Sequence, residues 1–448
     1  MQFVLPQNLI RLAQNLPSPL YVVGGSLRDF LLGISPLSGN RDWDICAPLS
    51  VDVLQKTATS LGFSVKACYK NTGTLKLASP SGEHCEFTSF RSDKYVRGKH
   101  TPDEVFFTSD IALDAKRRDF TANAVYYDIV NKKIVDPLDG VTAIREKRLT
   151  TVAPAEKVFG EDGLRLMRLA RFAGTLGFTP DNDCLNGAKK NAFLIKDIQP
   201  ERIFTELSAI LCADKKYGVT FGHYHGLDIL EKTGVLDYII PELTLGRNML
   251  QRPDFHKYDV LTHSLLSVKY AEESVRLACL LHDVGKPFCS LRDGNSYAHP
   301  NEGARIATDI LTRLKAPKKV IAQTEKLVSL HMYDFNCQVS ENKLRKFFII
   351  NYPYLKELML VKQADFSACK DDVSIAPTLV KWRALLEKMQ EENVPFTTKD
   401  LAVNGKDLLG AGIEPTEIST LLQRLLLHVC VNPSDNKKAR LLRLALKI

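Results

Sequence analysis

A chain of 448 residues exceeds the roughly 250–300 residues at which one hydrophobic core stops growing, so at least two domains are expected. Hydrophobic residues at 45% and charged residues at 25% match an ordinary globular protein, and the lack of any uninterrupted run of about 18 apolar residues excludes a membrane-spanning helix. A formal charge of +8 suits a polyanionic partner or simple solubility; ten scattered cysteines without a Cys-x-x-Cys pair argue against a zinc knuckle and for a reduced, cytoplasmic protein, as does a start without a basic region before an apolar run.

The first part, to about Pro137, alternates short β-branched or aromatic runs with helical stretches. The runs are Leu20–Val23, Trp43–Cys46, Gly73–Ala78, Cys85–Phe90, Glu104–Phe107, Ala124–Ile129 and Lys133–Val135; the helical stretches include Ser26–Leu32 and Val51–Leu61. This pattern predicts a mixed α/β domain. After Asp136-Pro137-Leu138-Asp139-Gly140 strands nearly vanish, and amphipathic segments such as Glu161–Gly174, Pro200–Cys212, Val260–Glu272, Lys318–His331 and Ala376–Asn393 predict an all-helical remainder. The basic end KKARLLRLALKI suits an RNA-contacting helix or a solvated one.

Within the α/β part, YVVGGSLRDFLLGISPLSGNRDWDI places an apolar strand before Gly24-Gly25, then Arg28 and the pair Asp42-x-Asp44. Glycines at the end of a strand let a phosphate or another backbone approach closely. Alternate residues of a strand share a face, so Asp42 and Asp44 can jointly hold divalent cations through oxygen ligands; a surface loop with two unrelated aspartates is the plainer alternative. Glu86, in an alternating segment, is a candidate third carboxylate or the polar side of an ordinary strand. The consecutive cations Lys116-Arg117-Arg118 imply an anion nearby, either phosphate or a buried carboxylate, with a solvated basic turn as the plainer alternative.

Farther along, GEDGLRLMRLARF sets Asp162 and Arg165 three apart, with Arg168 and Arg171 continuing the series on one helical face. An amphipathic helix with salt bridges would read the same way. A carboxylate beside a guanidinium also matches the amine-plus-acceptor edge shared by cytosine and adenine, whereas uracil and guanine present the inverse and would leave buried polar groups unpaired.

Five ordered motifs carry a resemblance: Gly24-Gly25-Ser26-Leu27-Arg28-Asp29, Asp42-Trp43-Asp44, Arg117-Arg118-Asp119-Phe120-Thr121-Ala122-Asn123-Ala124, Glu161-Asp162-Gly163-Leu164-Arg165 and Glu201-Arg202-Ile203-Phe204-Thr205-Glu206-Leu207. Over roughly the first half of the chain they resemble the class II CCA-adding tRNA nucleotidyltransferases. The resemblance implies a polymerase-β-like α/β nucleotidyltransferase head over 1–140, an all-α neck over 141–245, an HD body over 246–370 and a helical, tRNA-binding tail over 371–448. It implies that Asp42 and Asp44 are catalytic and bind Mg2+, that Gly25, Arg28 and Arg118 contact the nucleotide, and that Asp162 and Arg165 read the base with support from Arg168 and Arg171. The expected substrates are tRNA, CTP and ATP. One departure is Ala143-Ile144, where the family often has Asp-Leu near the head-to-neck hinge. The basic Gly-Arg-Arg-Phe-Arg-like stretch of bacterial poly(A) polymerases is absent from the head, which favours CCA addition over polyadenylation. The element expected to separate full from partial addition is the loop Arg91–Pro102.

In the helical half, LTHSLLS, LLHDVGKP, AHPNEGA, LVSLHM and KQADFSA resemble an HD-domain metallophosphohydrolase. The resemblance implies divalent-metal ligands His263, His282, Asp283 and Asp365, with His299 and His331 as second-metal or phosphate residues and phosphate-ester hydrolysis as the chemistry. His256 lies close by in sequence and is assigned no role.

Overall fold

The computed structural model describes residues 3–34, 42–94 and 104–447, which form two compact units, Met1–Pro241 and Glu242–Ile448. In the first unit the strands are β1 (Tyr21–Val23), β2 (Asp42–Ala47), β3 (Ser64–Tyr69), β4 (Thr74–Ala78), β5 (His84–Ser89), β6 (Arg91–Lys94), β7 (Glu104–Phe107), β8 (Tyr126–Asp128) and β9 (Lys133–Val135). Seven of them make one mixed sheet in the order β3-β4-β5-β2-β1-β8-β9, while β6 and β7 pair separately. Within that sheet only β2 and β5 run parallel, with Asp44 opposite Glu86; two further short strands, Arg148–Leu149 and Thr179–Pro180, pair in parallel apart from it. The expected α/β head is therefore present, with two strands, β3 and β6, that sequence patterning missed. The β3 side chains are mostly exposed, so this edge strand lacks the apolar alternation that marks a half-buried one.

Burial in β2 alternates as the pleat dictates: Trp43 and Ile45 point into the core, and Asp42 and Asp44 stand exposed on the opposite face. Val23, Cys46, Phe90, Ala124 and Tyr126 close the core beneath the strands. That packing fixes the register, since a slip of one residue would bury both aspartates.

Helices fill the rest of this unit, including Ala155–Glu161, Leu164–Leu176, Pro200–Leu211 and Ala213–Tyr217. The predicted continuous helix Glu161–Gly174 is instead interrupted: one helix ends at Glu161, Asp162 is extended (φ −142°, ψ 107°), and the next begins at Leu164. Asp162 and Arg165 consequently do not share one helical face. The Asp162 carboxylate accepts from the Leu164 N–H at 2.9 Å, satisfying a donor that the break exposes.

Among its described residues the second unit contains helices and no strand. Val260–Tyr270 packs against the long helix Tyr352–Lys370. Trp382 is fully buried against Phe347 and Phe348 and donates its indole N–H to Asp334 at 3.0 Å. No helix among the described residues is long and apolar enough to cross a membrane. Of the loop Arg91–Pro102, residues 95–102 lie outside the described residues.

Candidate active site and metal centre

At the end of β1 the chain turns at Gly24, whose φ is +74°. A Cβ there would lie 2.9 Å from the Asp44 carboxylate, so the turn needs glycine both for its backbone and for the closeness of Asp44. The following helix, Gly25–Leu31, carries Arg28 inward. Its guanidinium donates to the Asn123 side-chain carbonyl at 2.6 Å and to Asp29 at 3.3 Å. The Tyr217 hydroxyl reaches both Asp29 oxygens at 2.8 Å.

Solvent reaches the Asp44 carboxylate, but the protein packed around the rest of it raises its pKa; Glu86 and Asp42 push the same way, while Arg118 and Arg28 oppose. Negative charge is thus concentrated on one face of β2 and β5, with two guanidiniums close enough to be felt. Asp42, Asp44 and Glu86 offer only oxygen donors, which fits a hard divalent cation at this face. Glu86 also pairs with Lys76 at 3.0 Å.

The anion demanded by the basic run is a residue the sequence reading passed over. Asp114, fully buried, accepts from Arg117 at 2.7 Å, from Arg118 at 3.0 Å and from the Tyr126 hydroxyl at 2.8 Å. Burial works against its charge, yet the two guanidiniums hold its pKa below the usual carboxylate range. A signal was available: in Asp114-x-x-Arg117-Arg118 the carboxylate sits three and four residues before the cations, the spacing of helical ion pairs.

Arg165, Arg168 and Arg171 tie the neck to the head and to itself. Arg165 donates to the Val158 carbonyl at 3.0 Å, to Glu161 at 3.1 Å and to the Arg117 carbonyl of the head at 2.6 Å. Arg168 donates to Asp119 at 2.7 Å and Arg171 to Glu206 at 2.6 Å. Asp119 is buried, and Arg168, Asn123 and the Phe120 N–H together overcome that burial and hold its carboxyl well below the ordinary range. The Phe172 ring lies 5.5, 5.1 and 4.4 Å from the guanidiniums of Arg28, Arg168 and Arg171, which restrains all three.

In the second unit, four residues distant in sequence, His263, His299, His331 and Asp365, converge with the adjacent pair His282-Asp283. Asp259 caps the helix Val260–Tyr270 by accepting from Thr262 at 2.7 Å, which sets His263 on the first turn. Gly285 lets the helix His299–Arg313 approach, because a Cβ there would meet the His299 carbonyl at 2.5 Å. His263 Nε2 lies 3.0 Å from Asp365 and 3.1 Å from His282 Nε2. On the other side His299 Nε2 lies 3.2 Å from His331 Nε2 and 3.3 Å from Asp283 Oδ1. Asp283 Oδ2 faces His282 at 3.2 Å and His263 at 3.5 Å. Asp283 therefore spans two donor groups, His263/His282/Asp283 and Asp283/His299/His331.

Three of the imidazoles are oriented in the same way. The Nδ1 atoms of His282, His299 and His331 lie 2.7, 2.6 and 2.7 Å from backbone carbonyls three residues earlier, leaving Nε2 toward the cluster as in metal-ligating histidines. Burial works against the His282 imidazolium, yet Asp283 and Asp365 push its pKa up to about 10. Burial, only partly offset by Asp283, pushes His331 down to about 4. Asp283 and Asp365 stay well below the usual carboxylate range despite burial, through His282 and Lys286 for the first and His263 and His282 for the second. The Asp283 carboxylate is buried; Oδ2 pairs with Lys286 at 2.6 Å and both oxygens face imidazole nitrogens, so its charge is offset in a dry interior. Such a carboxylate, ringed by imidazole nitrogens, fits divalent metal ions on both sides.

Three family models match in order: the poly A polymerase head domain over residues 20–150, the probable RNA and SrmB-binding site of polymerase A over 177–245, and the HD domain over 260–365. A CCA-adding enzyme of Lactococcus lactis is 37% identical over 224 residues, 50% of this chain and 52% of that protein. The chain thus spans about half the length of the first curated relatives it matches. An A-adding tRNA nucleotidyltransferase of Deinococcus radiodurans is 28% identical over 371 residues, 79% of this chain and 77% of that one. Among solved structures, the Bacillus stearothermophilus CCA-adding enzyme in complex with CTP superimposes with a TM-score of 0.66 at 24% identity, covering 98% of this chain and 96% of the other. At that identity the likeness establishes the fold.

Proposed function

Because the chain belongs to the poly(A) polymerase and tRNA nucleotidyltransferase family and carries an HD domain, we propose that it adds C, C and A to tRNA 3′ ends from CTP and ATP without a template. The observation that carries this reading is the Asp44 carboxylate, which shares an exposed face with Asp42, lies against the Gly24 turn and is felt by the guanidiniums of Arg28 and Arg118.

Asp42 and Asp44 would hold Mg2+, which when bound activates the attacking 3′-hydroxyl and offsets charge on the pyrophosphate leaving group. The rest of the task falls to the chain itself. Gly25 at the turn lets the triphosphate approach, and Arg28 and Arg118 neutralise it. Arg118 is kept in place by Asp114 and Tyr126, so it meets the nucleotide already oriented. Asp162 accepts from the exocyclic amine of cytosine or adenine and Arg165 donates to the ring nitrogen. Arg168 and Arg171 brace this reader. Arg165 is bonded to backbone carbonyls of both neck and head, and that rigidity is what base selection without a template requires: a wrong base would leave buried groups unpaired. Transfer RNA is recognised through backbone charge and shape along the neck (141–245) and tail (371–448), and the protein works in the cytoplasm.

The HD segment (246–370) would hold a divalent transition metal on His263, His282, Asp283 and Asp365, with His299 and His331 serving a second ion or a phosphate, and would hydrolyse phosphate esters. The deciding experiment supplies tRNA lacking CCA, lacking CA and lacking A with each nucleoside triphosphate separately and reads product lengths. Extension of all three acceptors to complete CCA is expected. Extension only of tRNA ending in CC would establish A addition alone, the reading favoured by the long alignment with the Deinococcus relative. Failure to extend any acceptor, together with metal-dependent phosphodiesterase activity, would make the protein an HD phosphohydrolase whose head senses RNA.

A further inference from the structure

His263 differs from the other three histidines of the HD cluster. It is fully buried, and its Nε2 is turned to His282 and Asp365. Its Nδ1, however, has no backbone carbonyl to meet and is buried without a hydrogen-bond partner. The ring beside it is His256, edge-on at 4.8 Å between centroids, and the His256 Nδ1 is likewise buried and unpartnered. A third donor completes the group: one ring nitrogen from each histidine and the Cys369 thiol lie within 4.8 Å of one another.

The surrounding contacts hold these residues together. Cys369 follows Asp365 by one turn of the helix Tyr352–Lys370. The segment bearing His256 is strapped along the end of that helix. Lys257 donates its backbone N–H to the Cys369 carbonyl at 2.9 Å, Lys370 donates to the Asp254 carbonyl at 2.7 Å, and Tyr258 donates to Asp371. Two imidazoles and a thiol suit zinc or cobalt and not magnesium, since soft and borderline donors select those ions.

The geometry points to a thiophilic metal position formed by His256, His263 and Cys369, adjoining the HD cluster and sharing His263 with it. A zinc-class divalent ion takes these three donors, and water completes the tetrahedron. As the ion binds, the Cys369 thiol proton leaves to solvent and the S–H bond is replaced by a metal–S bond, while the neutral imidazoles of His256 and His263 each donate a nitrogen lone pair, with no change of oxidation state. The assignment is independent of the nucleotidyl-transfer reading. Its sulfur donor lies outside the HD ligand set, so Cys369→Ser removes this position and leaves every HD ligand in place.

The test uses the full chain, freed of metal and titrated with Co2+. A sulfur-to-cobalt charge-transfer band in the near ultraviolet is expected, lost in Cys369→Ser, weakened in His256→Ala and retained in His331→Ala, which removes a ligand only from the other side of the cluster. The unmodified chain provides a second measurement free of folding effects: Zn2+ should slow alkylation of Cys369 by about tenfold or more, because metal-held sulfur is a poor nucleophile. Absence of the band from the wild-type chain, its persistence in Cys369→Ser, or alkylation of Cys369 unaffected by Zn2+ overturns the assignment.

Discussion

The two acidic centres of this chain are built on opposite principles. Asp42 and Asp44 are exposed neighbours on one strand, offering oxygens alone to solvent. The HD cluster is buried, mixes imidazole with carboxylate, and draws ligands from a span running from His263 to Asp365. An open oxygen site suits a hard ion that arrives and leaves with the nucleotide, whereas a buried site with backbone-oriented imidazoles suits an ion that stays. On the proposed function the first centre would take its order from a substrate, whereas the second is ordered by its own fold.

The strongest way to break that contrast is to remove one centre and watch the other. Asp42→Ala or Asp44→Ala should lower nucleotide incorporation roughly a thousandfold or more, several kcal/mol of lost charge stabilisation, while tRNA binding and the metal content of the HD cluster stay unchanged. Substantial residual incorporation would remove the catalytic assignment.

Asp283→Asn is the reciprocal experiment. Losing the charge that faces four imidazoles and Lys286 at 2.6 Å should cost about 3–5 kcal/mol, as breaking buried ionic networks does. Transition-metal content, measured by elemental analysis, should drop with CCA incorporation retained. Dialysis against a mild chelator sharpens the same point: incorporation should return at once on adding Mg2+, with the HD ions retained throughout.

Base choice is the next effect in size. Asp162→Ala should relax discrimination of CTP over UTP by roughly a hundredfold or more, and should cost only about 1 kcal/mol of stability through the lost cap on Leu164. Unchanged selectivity in single-nucleotide assays would dismiss the base-reading role.

The smallest expected effect is on pH dependence. The folded pKa values of Asp114 and Asp119 lie below the ordinary aspartate value, so the unfolded chain binds more protons in acid. The stability they contribute is complete above about pH 4 and fades as pH falls through the folded values. Melting followed by circular dichroism should be insensitive to these groups from pH 7 to 5 and decline below about pH 4. An Asp114→Asn chain should show a shallower decline.

Local order in the sequence determined a good deal. Alternation over Asp42-Trp43-Asp44 sufficed to place both carboxylates on one face, because the pleat has a period of two and the apolar neighbours can only turn inward. The glycine pair marked the turn, and the loss of strand patterning after Gly140 marked the passage to helices. Spacing could not reveal the break at Asp162, since Leu164, Met167 and Phe172 suit one long helix as well as an interrupted one; in the fold Gly163 is pressed against the Leu194 carbonyl at that point. Nor could spacing show that Gly24 is the residue pressed against Asp44, or that Asp114, whose spacing from Arg117 and Arg118 does signal an ion pair, makes it from full burial. The HD residues were found by motif, but only the tertiary structure joined their five segments, oriented Nε2 by backbone carbonyls and brought Cys369 beside His256. Alternate residues of a strand share a face by geometry alone. Residues a hundred positions apart meet only when helix packing brings them together.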